Sequence, residues 1–155
     1  HAVTWGQTVK VWIVSYIGNF VGCFLFAGIW VLAGGSGTKE FFAGMIDGKL
    51  SIAPGEMFFR AVLCNFFVCL AVACGTKCKE EAAKFLMIVI CISGFVIAGF
   101  EHCIANMALF TAVGFMVPGV SISSMLFSML IVTLGNMVGG AVLLALPLRK
   151  MSADK

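Results

Sequence analysis

An acid and an imidazole stand side by side at Glu101 and His102, directly after Gly99 and Phe100. The pair lies inside the apolar run 85–117, where an ionisable group costs at least ~2.5 kcal/mol unless it faces a polar cavity or a partner. An imidazole can donate a hydrogen bond or a proton near neutral pH. A carboxylate can accept backbone N–H groups where a half-helix starts. We therefore predict that a membrane helix is broken near Gly99, with a functional role for His102 and a structural role for Glu101 at the break.

The composition predicts a protein that lies within a lipid bilayer. Hydrophobic residues make up 61% of the 155 residues, charged residues make up 11%, and the mean hydropathy is +1.10. Soluble domains are typically about 45–50% apolar. The net charge of +3 is too small and too dispersed to favour nucleic-acid binding. We expect an all-α integral membrane protein, because helices satisfy their own backbone groups in lipid.

Four apolar segments predict four crossings within a single transmembrane domain that covers residues 1–155. A crossing needs about 20 apolar residues, so the run that holds Glu101 and His102 is long enough to be interrupted. The polar stretch 36–56 is expected to fold back onto the membrane surface, and Pro147 is expected to break the last turn of the final span. The predicted spans are 11–35 (span A), about 57–76 (span B), the interrupted run 85–117 (span C) and about 124–148 (span D).

The basic residues predict the orientation of the chain. Four crossings place both ends on one side of the membrane, and Lys and Arg divide seven to three in favour of that side. Because cytoplasmic segments carry the excess of Lys and Arg, the termini are predicted to be cytoplasmic. Lys49 and its loop then face outward.

A five-residue motif, G-N-x-V-G, occurs at 18–22 in span A and again at 135–139 in span D. The two spans run in opposite directions, which predicts an inverted repeat of the kind that carries small solutes between two pseudo-symmetric halves. Its glycines are expected to pack helices closely, and Asn19 and Asn136 to hold a neighbouring broken helix. If the repeat unit is three spans, two spans of roughly 60–100 residues in all precede His1, and the chain is a fragment.

Several blocks of this sequence resemble the formate/nitrite transporter family of anion channels, and the similarity covers nearly the whole chain. The block at 99–107, G-F-E-H-x-x-A-N-M, is highly specific, whereas the G-N motifs alone are weak indicators. The matching blocks are Thr4-Trp5-Gly6-Gln7 with Gly18-Asn19, Cys64-Asn65 with Val68-Cys69-Leu70-Ala71, Gly99-Phe100-Glu101-His102 with Ala105-Asn106-Met107, and Gly135-Asn136 with Gly139-Gly140.

The resemblance implies a six-span protomer of aquaporin-like topology, of which this chain would hold the last four spans, or the C-terminal two-thirds. It implies a homopentamer with one pore per protomer, in a bacterial inner membrane, that passes small monovalent anions such as formate, nitrite or hydrosulfide. The motifs are most similar to the hydrosulfide branch. The family's second-span loop, whose threonine partners the histidine, would precede His1. The missing spans would then come from the same polypeptide or from a separate chain.

The resemblance also implies roles for individual residues. His102 matches a histidine at the pore centre, on a loop that breaks the fifth span, and Phe95 matches an aromatic residue at a constriction. Lys49 and Asn65 match polar positions that tune the histidine or the anion path. Independently, Phe95 precedes His102 by seven residues, which would place it two helical turns away on the same face. Asn106 is predicted to be structural.

Two other classes of function are open from the residues alone. A helical membrane subunit of a redox complex would need facing axial haem ligands, and His102 is the one histidine within a predicted span. An intramembrane enzyme would need a nucleophile or a second carboxylate beside Glu101, and the sequence supplies neither at that depth. The seven cysteines lack the spacing of a zinc site and are given no role. We therefore expect no metal, no cofactor and no enzymatic activity.

Overall fold

The computed structural model describes residues 4–153, and over that range the regular structure consists only of helices. Three helical segments are long and apolar enough to cross a membrane, so the predicted all-α membrane fold is confirmed. The helices are α1 (Trp5–Leu32), a 3₁₀ turn (Gly35–Thr38), α2 (Lys39–Leu50), α3 (Pro54–Lys77), α4 (Glu81–Ile97), α5 (Cys103–Met116), α6 (Ile122–Val138), a π-helical segment (Gly139–Ala145) and α7 (Leu146–Ala153).

The chain forms two compact units. Unit I contains 4–51 and Ile104–Ile122, and therefore α1, α2 and nearly all of α5. Unit II contains Ile52–Cys103 and 123–153, and therefore α3, α4 and the helices that follow α5.

In unit I, α1 begins with a capping box at Thr4. The Thr4 hydroxyl accepts a hydrogen bond from the Gln7 N–H (3.3 Å), and the Gln7 side chain accepts one from the Thr4 N–H (2.8 Å), which satisfies two backbone donors at the helix start. The helix ends before Gly34, whose φ of 92° lies in the left-handed region that favours glycine. Within the described part of the chain, Ala27 is the buried residue of α1. Most of the other residues of this apolar helix are exposed, so much of its surface is available to lipid or to other helices.

The polar stretch after α1 is largely helical. It contains α2, in which Ile46 is 1% exposed. Phe42 packs against the small core that Ala27 forms with Met116 of α5. Lys49 lies in the last turn of α2, where a cation is favourable beside the carbonyl end of a helix.

In unit II, α3 packs against α4 and against the π-helical segment. Two glycines allow the α6 and π-helical backbone to approach α3 closely. A Cβ built at Gly135 would lie 2.6 Å from the Phe58 carbonyl oxygen, and one at Gly139 would overlap the Val62 carbonyl. The glycines of the second G-N-x-V-G copy are therefore packing residues, as predicted.

The long apolar run is interrupted, as the sequence predicts. Helix α4 ends at Ile97, α5 begins at Cys103, and residues 98–102 form the break between them. The expectation for Pro147 is wrong, because the helix continues through it as α7. The chain changes to a π-helical turn just before this proline, and such a turn alters the hydrogen-bond register at the point where proline offers no N–H.

Candidate functional site

The first half of the break is a Schellman motif at the end of α4. The Gly99 N–H donates to the Val96 carbonyl (3.1 Å), and the Phe100 N–H donates to the Phe95 carbonyl (3.1 Å). Gly99 has a φ of 66°, which L residues with a side chain rarely adopt. This pair of bonds around a left-handed glycine is a common way to end a helix. The sequence signal at Gly99 therefore marks the helix end correctly.

The second half of the break is held by Asn136 of α6. Its Oδ1 accepts a hydrogen bond from the Cys103 N–H (2.9 Å), and its Nδ2 donates to the Glu101 carbonyl (2.9 Å). These two groups belong to the two peptide bonds that flank His102. The Cys103 N–H is also one of the donors that the start of α5 leaves without a helical partner. Asn136 thus caps α5 and fixes the backbone on both sides of the histidine.

Asn136 is itself anchored to α3. Its Nδ2 also donates to the Ala61 carbonyl (2.7 Å), and the backbone carbonyl of Asn136 accepts a hydrogen bond from Asn65 Nδ2 (2.6 Å). The Cys69 thiol donates a weak hydrogen bond to Asn65 Oδ1, with the sulfur 3.7 Å from that oxygen. Asn136 is 5% exposed, and both N–H groups and the oxygen of its amide are used. The prediction that Asn136 holds a broken helix is consistent with each of these contacts.

The His102 ring stacks on Phe95. Their ring centroids lie 5.9 Å apart and their planes differ by 22°, a geometry in which aromatic rings attract one another. Both side chains are partly exposed. The seven-residue spacing does not explain why the two rings meet, because α4 ends at Ile97 and no helix connects the two residues. Instead, the Schellman turn reverses the chain after α4 and brings His102 back to Phe95.

Glu101 and Phe100 anchor the break by contacts within unit II. Glu101 is 2% exposed, and its backbone carbonyl is one of the two groups that Asn136 holds. Phe100 contacts Phe67 of α3, with ring centroids 6.2 Å apart. A buried carboxylate beside a helix break fits the structural role that the sequence predicts for Glu101.

Three predicted site residues belong to unit I. Asn106 is 0% exposed and lies on α5, as expected of a structural residue. Lys49 is partly exposed in α2. Asn19 is exposed, and its Nδ2 donates to the Ser15 carbonyl of its own helix (2.8 Å). The other predicted residues, Gly99, Glu101, His102, Phe95, Asn65 and Asn136, lie in unit II and are joined by the contacts described above.

Sequence reasoning counted Arg60 only as a charge, although it contacts the break. Its Nη1 lies 3.4 Å from the Gly99 carbonyl oxygen, and its Nη2 forms an ion pair with Glu56. A signal was available, because a charged residue inside an apolar span is costly and usually has a functional partner.

The geometry of this break can be set beside known proteins. The family model described as formate/nitrite transporter matches residues 1–149. This chain belongs to the formate/nitrite transporter family. The match confirms the family that the sequence motifs resemble.

Relatives in this family include characterised and uncharacterised transporters. The chain is 34% identical to the uncharacterized transporter YwcJ of Bacillus subtilis (strain 168), a match that covers 92% of this chain and 57% of that protein. It is 32% identical to the nitrite transporter NirC of Escherichia coli (strain K12), with 94% and 54% covered. The formate channel FocA of the same strain is 32% identical, with 93% and 59% covered.

Two solved structures share the fold. One is an FNT family ion channel, with a TM-score of 0.87 at 29% identity over 96% of this chain and 61% of that one. The other is a pentameric formate channel with formate bound, with a TM-score of 0.84 at 25% identity over 98% and 69%. The chain spans little more than half the length of the family's sequence relatives given above.

Proposed function

We propose that the protein to which this chain belongs is a channel for small monovalent anions, with His102 at the centre of the pore. The observation that carries the proposal is the clamp on the break. Asn136 holds the peptide groups on both sides of His102, and the ring stacks on Phe95. An imidazole held in a fixed place beside an aromatic ring can offer a hydrogen bond at one defined point of a narrow path.

The chemistry of the anion sets how much His102 must supply. A bare anion is costly at mid-membrane, so the pore must provide a hydrogen-bond donor, a countercharge or a proton. Protonating a carboxylic acid of pKa about 4 at pH 7 costs roughly 4 kcal/mol. Hydrosulfide, which titrates near neutrality, needs almost no such input. Histidine titrates in the range where it can donate a hydrogen bond or transiently a proton, so formate, nitrite and hydrosulfide are all candidate substrates.

Phe95 and Lys49 are assigned supporting roles in the same path. The Phe95 ring against His102 would exclude water and hydrated cations at the narrow point. Lys49 at the end of α2 would attract anions to the pore mouth through its charge. Asn65, which donates to the Asn136 carbonyl, would act on the anion path mainly by keeping the clamp in register.

The working unit is proposed to be larger than this chain. Two further spans on the same polypeptide, or on a second one, would complete each pore, and five protomers would assemble as the name of one related structure states. The first copy of the repeat supports this, since a Cβ placed on Gly18 or Gly22 would have nothing in the described residues within 4 Å. The bias of Lys and Arg supports cytoplasmic termini, in a bacterial inner membrane.

Reversal potentials of the full-length protein in a planar bilayer test this proposal. With a gradient of sodium formate or sodium nitrite, an anion channel gives a reversal potential near that of the anion. Glycerol-loaded liposomes serve as a control for non-selective leakage. A potential that follows sodium, or no current from a confirmed pentamer, would overturn the proposal.

A further inference from the structure

Arg60 is a charged residue inside an apolar helix, and it reaches the break. It lies six residues after Pro54, or about 9 Å along the axis of α3. Its Nη1 lies 3.4 Å from the Gly99 carbonyl oxygen. Its Nη2 pairs with Glu56 one turn earlier, and the Arg60 side chain is 38% exposed. The guanidinium therefore bridges a partner on its own helix and the backbone of the break.

The Gly99 carbonyl is one of the backbone groups at the break that the helix end leaves without a helical partner. The Schellman motif uses the N–H groups of Gly99 and Phe100 and the carbonyls of Phe95 and Val96. The carbonyl of Gly99 lies beyond these bonds, and a carbonyl left without a donor in lipid costs several kcal/mol. Its direction also sets the plane of the peptide that joins Gly99 to Phe100, and Gly99 lies three residues before His102.

Two neighbouring positions of α3 hold the two sides of the break. Arg60 contacts the Gly99 carbonyl on the α4 side. The Ala61 carbonyl accepts from Asn136, which in turn holds Glu101 and Cys103 on the α5 side. A guanidinium suits this task, since its planar fork presents donors in fixed directions.

We propose that Arg60, oriented by Glu56, is a positioning residue for His102. The guanidinium fixes the Gly99 peptide and thereby the placement of the imidazole against Phe95. This inference rests on the proposed function, because its readout is anion flux. A different role, in which Arg60 attracts anions only by its charge, makes opposite predictions for the same variants.

The test uses the full-length protein in liposomes, with anion flux measured against anion concentration and ionic strength. Arg60→Met removes the donor and keeps the side-chain length, and it should lower maximal flux about tenfold or more, the factor expected when a hydrogen bond from a charged group is lost. Arg60→Lys keeps a charged donor and should recover part of that flux. Lys84→Met is the matched control, because Lys84 pairs with Glu81 on α4 away from the break.

Glu56→Gln separates positioning from attraction by the sign of its effect. If Glu56 orients Arg60, the variant lowers maximal flux in the same direction as Arg60→Met, and added salt does not restore it. If Arg60 attracts anions by charge, removing the neighbouring carboxylate lowers the half-saturating anion concentration instead, and salt abolishes the difference. The second pattern overturns the inference.

His102→Asn shows whether Arg60 acts through the histidine. In that background Arg60→Met should cause no further loss of maximal flux, whereas an independent role gives additive losses of flux. The pentamer content of every variant is checked by sizing. Failure of the channel proposal would be visible in wild type and His102→Asn alone. Failure of this inference would leave those two as expected and make Arg60→Met behave like Lys84→Met.

Discussion

The two copies of the G-N-x-V-G motif lie in very different surroundings. In the copy at 135–139, a Cβ at either glycine would meet the backbone of α3, and Asn136 makes three side-chain hydrogen bonds. In the copy at 18–22, nothing in the described residues lies within 4 Å of a Cβ at either glycine. Asn19 there bonds to its own helix. The same motif thus gives a clamp only where another helix is present to receive it.

The difference shows what the motif is for. Small residues one turn apart let two backbones approach in lipid, and the asparagine between them then reaches backbone groups that a helix break leaves without partners. In unit II these groups are the peptides that flank His102. By the inverted repeat, the exposed copy on α1 would hold a second break supplied by the two further spans. Substitutions in each copy can test that correspondence.

The largest effect is expected at Gly139. Gly139→Val places a branched side chain against the Val62 carbonyl, where neither backbone can move away without separating α3 from the π-helical segment. We expect loss of the pentamer, because overpacking of a close helix contact costs more than the about 1–3 kcal/mol typical of cores. Sizing in detergent measures it. Normal assembly would show that the close approach is dispensable.

The next effect is expected at Asn136. Asn136→Leu keeps the approximate volume but leaves the Ala61 carbonyl, the Glu101 carbonyl and the Cys103 N–H without this partner. Each such group costs about 1–3 kcal/mol when buried, so pentamer stability should fall by at least about 2 kcal/mol and flux should be lost. Unfolding in increasing SDS provides the measurement. A stable variant with wild-type flux would contradict the clamp.

Asn19 provides the matched comparison. If two further spans pack on α1, Asn19→Leu in the full-length protein should also lower stability, by an amount of the same order as Asn136→Leu. If the surface of α1 at Asn19 faces lipid in the assembled protein, the variant should be neutral or stabilising. The second result would break the correspondence between the two copies.

Sequence reasoning predicted the helices and the break, but not what holds the break. Long apolar runs and Gly99 are local signals, and they placed α1, α3 and the interruption correctly. The contacts that fix His102 join residues far apart in the chain, such as Asn136 to Cys103 and Arg60 to Gly99. No periodicity reports such pairs, so Asn136 could be assigned a helix-holding role while its partners could not be named.

The Phe95 and His102 rings lie together for a reason other than the one that their spacing in the sequence suggests. The seven-residue spacing and the resemblance both indicate Phe95, yet α4 ends at Ile97, before it reaches His102. The stack depends on the left-handed turn at Gly99, which one glycine in the sequence does not specify by itself. The continuation of the helix through Pro147 likewise depends on local backbone geometry, here on a π-helical segment, which is rare in proteins.

The smallest effect is expected at Phe95. Phe95→Ala removes a ring from the proposed constriction but no hydrogen bond from the clamp, so the pentamer should remain. Flux should rise by up to about tenfold, the factor that corresponds to about 1.4 kcal/mol of barrier. Single-channel conductance measures it, and the dependence on pH should persist. Reduced assembly with unchanged conductance would place Phe95 in helix packing instead.

The most direct test of the account is anion flux into liposomes as a function of pH, for the full-length wild type and His102→Asn. Histidine gains a proton as the pH falls through its titration range, and the charged ring is the stronger donor to an anion. Wild-type flux, corrected for protein-free liposomes, should therefore rise as the pH falls through this window. Asparagine does not titrate, so the variant, still pentameric, should lose this rise and rank formate, nitrite and hydrosulfide differently. Identical pH profiles with the same ranking would contradict the claim that His102 acts on the anion.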